Sequence, residues 1–340
     1  MPILKYRKRT LAPLSNLISD ITYVMCGARG ETTNRLMRAL PQVRFIGFEP
    51  ATEEFKKLKE NAADRFSYIN AAVGARNERR CFYKTQNPGC SSLLQPNQAL
   101  YSRFENGDRD LAVVEEREIA TVALDSCLPA AGIQTMDILE LDTQGSELEI
   151  LHGAENLLSK TTVVVKCEVE FSPLYLDQPL FGDVDAFLRN LGFMLFDLSR
   201  TRYRRSNFPP DDLTRGQLLW GDALYLRDAA WFTTQSDKLS LFKLSLVAAH
   251  LQFHDYALEI IDLLLNEPAV VLSPEERTSL LAARQRYLQD LARGANWIRA
   301  LRGLEAVGLG RPIKAVGRLA TQLGERLRKD RLMAEYNWVD

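Results

Sequence analysis

The densest run of chemistry-bearing side chains is Leu139-Glu140-Leu141-Asp142-Thr143-Gln144-Gly145-Ser146-Glu147. An apolar strand pattern ends at Asp142, Gln144 and Gly145 make a turn, and Ser146 and Glu147 open a helix. A carboxylate at the end of a buried strand is costly to desolvate without a task, so Asp142 is a candidate general base; capping the next helix is its other available role. Lys166-Cys167-Glu168-Val169-Glu170 ends another strand, with Glu168 and Glu170 on one face by alternation, directed either to the same pocket or to solvent. Three further strand ends carry signals. Cys26-Gly27-Ala28-Arg29-Gly30-Glu31 joins a strand to a helix, where glycine lets main chain approach an anionic ligand, although a plain strand-to-helix turn uses glycine in the same way. Phe48-Glu49-Pro50 sets a carboxylate nineteen positions beyond Gly30, the separation at which nucleotide-binding sheets accept hydrogen bonds from ribose hydroxyls. Asn70-Ala71-Ala72 offers a flat slot for an adenine ring with Asn70 at its edge, or else a tightly packed turn. Ser91 and Ser92 stand in the turn-rich loop Asn87–Leu93, either orienting a ligand or satisfying loop backbone.

These positions share a site only if the strands run parallel, because ligands of open parallel sheets bind beyond the strands' carboxyl ends. The sequence supports that arrangement. Strand patterns at Tyr23–Cys26, Arg44–Glu49, Phe66–Ala72, Arg80–Lys84, Glu118–Ala123, Met136–Asp142 and Thr162–Glu170 are interleaved with helical ones at Thr32–Leu40, Thr52–Asn61 and Ser146–Leu158. Phe193–Leu198 and Leu219–Arg227 have no helix between them and predict an antiparallel hairpin at one edge. The expectation is an α/β domain over residues 21–230 after an extension of residues 1–20, followed by an all-helical C-terminal region, 231–340. There, Ser273-Pro274-Glu275-Glu276 is a helix start, and Ile313–Leu327 also has helical periodicity.

Composition narrows the function. The 340 residues include 43 Lys and Arg against 44 Asp and Glu, so a global polycation for nucleic acid is not expected. Five scattered Cys without a C-x-x-C pair argue against a disulfide scaffold or zinc knuckle and fit a reducing cytosol. Three His form no evident metal site. The N-terminal stretch lacks a signal-peptide core and no run reaches membrane-spanning length, so a cytoplasmic protein is expected. From Arg293 to Arg331, ten Lys or Arg face three acids beside apolar residues such as Trp297, Leu301 and Leu304. That segment is either a basic amphipathic surface for anionic lipid or an acidic glycan carrier, or a solvated helix packing on the domain or a second subunit.

Taken in order, Gly27-Ala28, Phe48-Glu49-Pro50, Ser91-Ser92, Leu124-Asp125, the Asp142–Glu155 run and Glu168-Val169-Glu170-Phe171 resemble the FkbM family of S-adenosylmethionine-dependent methyltransferases. The resemblance covers roughly Ile21–Leu198. It implies a class I methyltransferase (Rossmann-like) sheet, S-adenosylmethionine as donor, and O-methylation of a hydroxyl on a sugar, glycan or natural product. It implies donor contacts from Gly27, Ala28, Arg29, Gly30, Glu49, Pro50, Asn70, Ala71 and Ala72, with Asp142 and Glu168 catalytic and no metal. The family's usual acid two residues before Gly-Ala is Met25 here, which transfers its ammonium-binding role to Glu31, Asp142 or a nearby carbonyl. Two other readings compete. A nicotinamide-dependent oxidoreductase shares the glycine turn and acid, but lacks here a full G-x-G-x-x-G and any Tyr-x-x-x-Lys. A degenerate, non-catalytic binding module would explain Met25.

Overall fold

The computed structural model describes residues 11–29, 36, 39–207 and 214–304, with side chains at 291 and 293–304 left undescribed. Gly30, Glu31, most of the Thr32–Leu40 helix, the Ile313–Leu327 helix and the basic side chains from Arg293 to Arg331 therefore lie outside the described residues.

The chain divides into two compact units, one formed by 20–31 and 43–231, the other by 1–19, 32–42 and 232–340. In the first, an eight-stranded sheet carries the order β10-β11-β8-β7-β1-β2-β3 with β9 also against β11. Its strands are β1 (Ile21–Cys26), β2 (Val43–Phe48), β3 (Phe66–Ile69), β7 (Ile138–Leu141), β8 (Val164–Glu170), β9 (Phe193–Leu198), β10 (Thr201–Tyr203) and β11 (Gln217–Arg227). β1, β2, β3, β7 and β8 are mutually parallel, while β11 runs antiparallel to β8, β9 and β10. The expected edge hairpin is thus β9–β11, and β11 inserts between β8 and the edge. This is the sheet the resemblance implies, mostly parallel with an antiparallel edge.

Strand alternation sorts the side chains. One face presents Val24, Cys26, Leu139, Leu141, Val165 and Cys167 to a core closed by α2 (Leu124–Ala130), α3 (Glu147–His152), α4 (Glu155–Lys160) and α5 (Phe181–Asn190). The other face carries Met25, Glu140 and Lys166, paired residue to residue across β1, β7 and β8. α1 (Thr52–Glu60) connects β2 to β3.

Two elements differ from the sequence expectation. The strand pattern over Phe66–Ala72 is two strands: β3 stays in the main sheet, and β4 (Ala72–Val73) joins β5 (Glu78–Thr85) and β6 (Val113–Val122) in a separate three-stranded sheet. The break falls at Asn70, whose side-chain amide donates to the Glu49 carbonyl at 2.8 Å and turns the chain there. The helix expected over Ser146–Leu158 is α3 and α4, divided where Gly153 passes so close to Gly74 that a Cβ would lie 2.4 Å from its carbonyl oxygen. Asp125 then caps α4, accepting from the backbone N–H of Asn156 and Leu157 at 2.8 and 2.9 Å.

In the second unit the described residues from Lys238 to Leu304 form α6 (Lys238–His250), α7 (His254–Asn266) and α8 (Pro274–Leu304). α8 begins as expected, with Ser273 and Glu276 forming a reciprocal capping pair at 3.2 and 2.7 Å. No helix among the described residues is long and apolar enough to cross a membrane.

Candidate functional site

At the carboxyl ends of β1 and β7 the chain converges on Gly27. It sits at φ +86°, and a Cβ there would lie 1.9 Å from the Asp142 carbonyl oxygen. Asp142 N–H in turn donates to Cys26 O at 3.1 Å. The amides of Gly27 and Ala28 both donate to Phe48 O, at 3.1 and 3.0 Å, which ties this turn to the end of β2. They are spent on the fold, so the turn's positive group is Arg29, which is exposed and reaches Pro88 O at 3.4 Å.

Glu49 follows β2 and is 4% exposed, its Oε1 accepting from Ala51 N–H at 2.7 Å beyond Pro50. Burial raises its pKa, opposed by that hydrogen bond and by Arg29. Asn70 is exposed beside it and Ala71 half-buried, whereas Ala72 packs against Phe82 and Leu93 in the core of the small sheet.

The turn after β7 is the most heavily built part. Gln144 and Gly145 both adopt positive φ, 61° and 105°. Glu147 folds back under them: Oε1 accepts from the Thr143 N–H and hydroxyl at 2.7 and 2.9 Å, and Oε2 from Gly145 N–H at 2.8 Å. Gln144 Nε2 donates to Asp142 Oδ1 at 2.8 Å and to Glu168 Oε2 at 2.6 Å, so the two carboxylates expected from sequence are brought together by one amide. Ser92 donates its hydroxyl to Gln144 O at 2.7 Å, while Ser91 Oγ accepts from Thr85 N–H at 3.2 Å. Around the turn a subsidiary core forms from Tyr101, Phe104, Leu111, Leu174, Tyr175 and Leu219. Its Tyr175 hydroxyl lies 2.8 Å from Cys90 O and 3.2 Å from Gln144 Oε1. Of the arginines in the 200–216 loop, Arg204 pairs with Glu105 at 3.0 Å and Arg205 lies over the Phe104 ring.

Asp142 reaches solvent, but the protein packed around its carboxyl raises its pKa, and Asp222 adds repulsion against the lowering effect of Gln144. Burial, then Asp142 and Glu170, push Glu168 well up. Burial likewise pushes Glu147 up to about 7 against the hydrogen bonds it accepts. In the window between its ordinary value of 4.5 and about 7, the folded chain holds a proton there that the unfolded chain releases. The contribution of Glu147 is full below that window and is lost as pH rises through it. Urea midpoints are accordingly expected to fall between about pH 5 and 7.5, and less steeply in Glu147→Gln; equal slopes would remove Glu147 as the cause.

Residues 26–195 match the methyltransferase FkbM domain, half of the chain. The chain belongs to the FkbM methyltransferase family. Its α/β unit is accordingly a methyltransferase domain that takes S-adenosylmethionine as donor, which displaces the nicotinamide reading. The 2-O-methyltransferase NoeI of Sinorhizobium fredii is 25% identical over 145 residues, 40% of this chain and 57% of the relative; the match thus spans a little over half the relative's length. Among solved structures, a methyltransferase FkbM from Methylobacillus flagellatus is 16% identical with a TM-score of 0.34, covering 61% of this chain and 43% of that one. A magnesium protoporphyrin IX methyltransferase from Synechocystis, solved with bound SAM, is 10% identical with a TM-score of 0.33, covering 66% and 79%.

The residues present suit the donor chemically. A ribose diol needs an acceptor, and Glu49 offers a second carboxyl oxygen besides the one that accepts from Ala51. An ammonium needs oxygen atoms, and at the FkbM-family acid position Met25 has none. The backbone carbonyl of Asp142, packed against the same turn, offers one.

Proposed function

We propose that the chain is an S-adenosylmethionine-dependent O-methyltransferase acting on a hydroxyl of a sugar, glycan or natural product. The observation that carries this reading is the carboxylate pair Asp142–Glu168, joined through Gln144 at the strand ends and adjoining the Gly27 turn. Similarity to a 2-O-methyltransferase favours oxygen as the atom methylated.

Glu49 holds the ribose hydroxyls, with Pro50 ending the strand so that the carboxylate stays at the rim. Asn70 and Ala71 border the adenine. Gly27 and Ala28 leave room for the amino-acid end, and Arg29 attracts the donor's carboxylate. When bound, S-adenosylmethionine supplies a sulfonium methyl already activated for transfer. The protein's share is alignment of the acceptor hydroxyl, exclusion of water and removal of one proton. Asp142 or Glu168 takes that proton as the oxygen–methyl bond forms and the sulfur–methyl bond breaks. The acceptor is a small molecule or glycan, not nucleic acid.

Glu49→Ala should weaken S-adenosylhomocysteine binding about tenfold by calorimetry, the loss of roughly one charge-assisted hydrogen bond. Asp142→Asn should instead lower transfer of labelled methyl to a panel of sugars and glycans by about a hundredfold, with donor affinity less affected. Unchanged values for both substitutions would remove the assignment.

A further inference from the structure

The two carboxylates of the site are not equivalent. Asp142 is exposed, whereas Glu168 is 7% exposed and sits beside Glu170 at the end of β8. Gln144 stands between them at φ 61°, a region that costs a non-glycine residue energy unless its surroundings hold it there. Four contacts do so. Nε2 donates to Asp142 and to Glu168, Oε1 faces the Tyr175 hydroxyl, and the backbone oxygen accepts from Ser92. An amide nitrogen has two hydrogens and accepts nothing, so both are committed to carboxylate oxygens, and Tyr175 fixes the other end of the amide.

We infer that Gln144 is a positioning residue whose amide presents Asp142 to the acceptor hydroxyl and holds Glu168 back as a support that does not touch the acceptor. This rests on the methyl-transfer reading above and divides two residues that the reading leaves interchangeable. The amide acts through its hydrogens: a bond donated to an ionised oxygen favours the charged form, so Gln144 keeps Asp142 available as an acceptor of the proton. The other titratable groups facing the pair are Glu147 at the start of α3, Lys166 and Glu170 on β8, Asp222 on β11, and Tyr175 and Cys90 from the subsidiary core. None of them is removed when Gln144 alone is changed.

The test uses the full chain with carboxyl-13C-labelled aspartate, the Asp142 signal being identified by its loss in Asp142→Asn. Gln144→Met keeps an unbranched side chain of similar length and removes both donors. It is expected to raise the Asp142 titration midpoint by about one pH unit, to move the acid limb of the methyl-transfer rate with it, and to leave S-adenosylhomocysteine affinity within about twofold. Tyr175→Phe keeps both Gln144 donors and removes the hydroxyl that Gln144 Oε1 shares with Cys90 O; it should shift the midpoint in the same direction by less, so it carries the test if Gln144→Met does not fold. An unmoved midpoint in the folded variants would overturn the inference while leaving donor binding, and so the methyltransferase reading, intact. Failure of the wild-type chain to bind S-adenosylhomocysteine would overturn both.

Discussion

Gly27→Ala is expected to destabilise the α/β unit by about 3 kcal/mol and to abolish S-adenosylhomocysteine binding. Two costs add. At φ +86° an alanine is strained whatever the space around it, and the added methyl would lie 1.9 Å from the backbone oxygen of Asp142. Backbone cannot swing aside as the end of a side chain can. The turn also cannot retreat, because the Gly27 and Ala28 amides are both bonded to Phe48 O. Relief therefore requires β1 and β7 to part at their carboxyl ends, beside the strand ends proposed above to hold the donor. Urea denaturation and calorimetry measure the two effects, and a variant with wild-type stability and affinity would show that the strand ends do not converge as described.

The second large effect is expected at Lys166. Its ammonium lies 2.9 Å from Glu140 and 3.5 Å from Asp222, all three within the sheet, and the Tyr23 hydroxyl also bonds Glu140. Burial alone would lower the Lys166 pKa, but Glu140 and Asp222 more than reverse this and hold it above its ordinary value. The stabilisation is thus fully present below about pH 10, the range in which an unfolded lysine is also charged, and disappears at higher pH. Lys166→Met removes the cation and strands buried carboxylates, for which about 3–5 kcal/mol is typical. Replacing Glu140 by Leu at the same time should restore part of the loss, since it removes the buried unpaired carboxylate, although Asp222 and the Tyr23 hydroxyl each lose a partner. A double-mutant cycle by urea denaturation checks this; additive losses would mean that Lys166 and Glu140 do not act as a pair.

Local chemistry made part of this site readable. The apolar runs ending at Cys26, Phe48 and Leu141 place Gly27, Glu49 and Asp142 at strand ends without any tertiary information, because each run is bounded by a turn residue. The Asp142–Glu155 run also carried the family resemblance. The partition of strands was not readable: β5 and β6 have the same alternating composition as main-sheet strands, and only pairing between residues far apart in sequence assigns them to a second sheet. Nor did helical periodicity reveal the break at Gly153, since the apolar stripe of Ile150, Leu151, Ala154 and Leu158 continues through it. Gln144 was legible only as a turn residue. Its hydrogen bonds run to Glu168 and Tyr175, 24 and 31 positions away, and no local pattern marks a tyrosine that meets Cys90 across 85 positions.

Leu36 and residues 39–42 follow the glycine turn closely, yet they belong to the compact unit that also holds Phe232 and its successors. During vectorial synthesis this early stretch must wait for about 190 further residues before the rest of its unit exists. At ordinary ribosomal speeds the delay is roughly 10–40 s. The methyltransferase sheet therefore has time to assemble first, while the early stretch must be kept from mispairing until the last helices emerge.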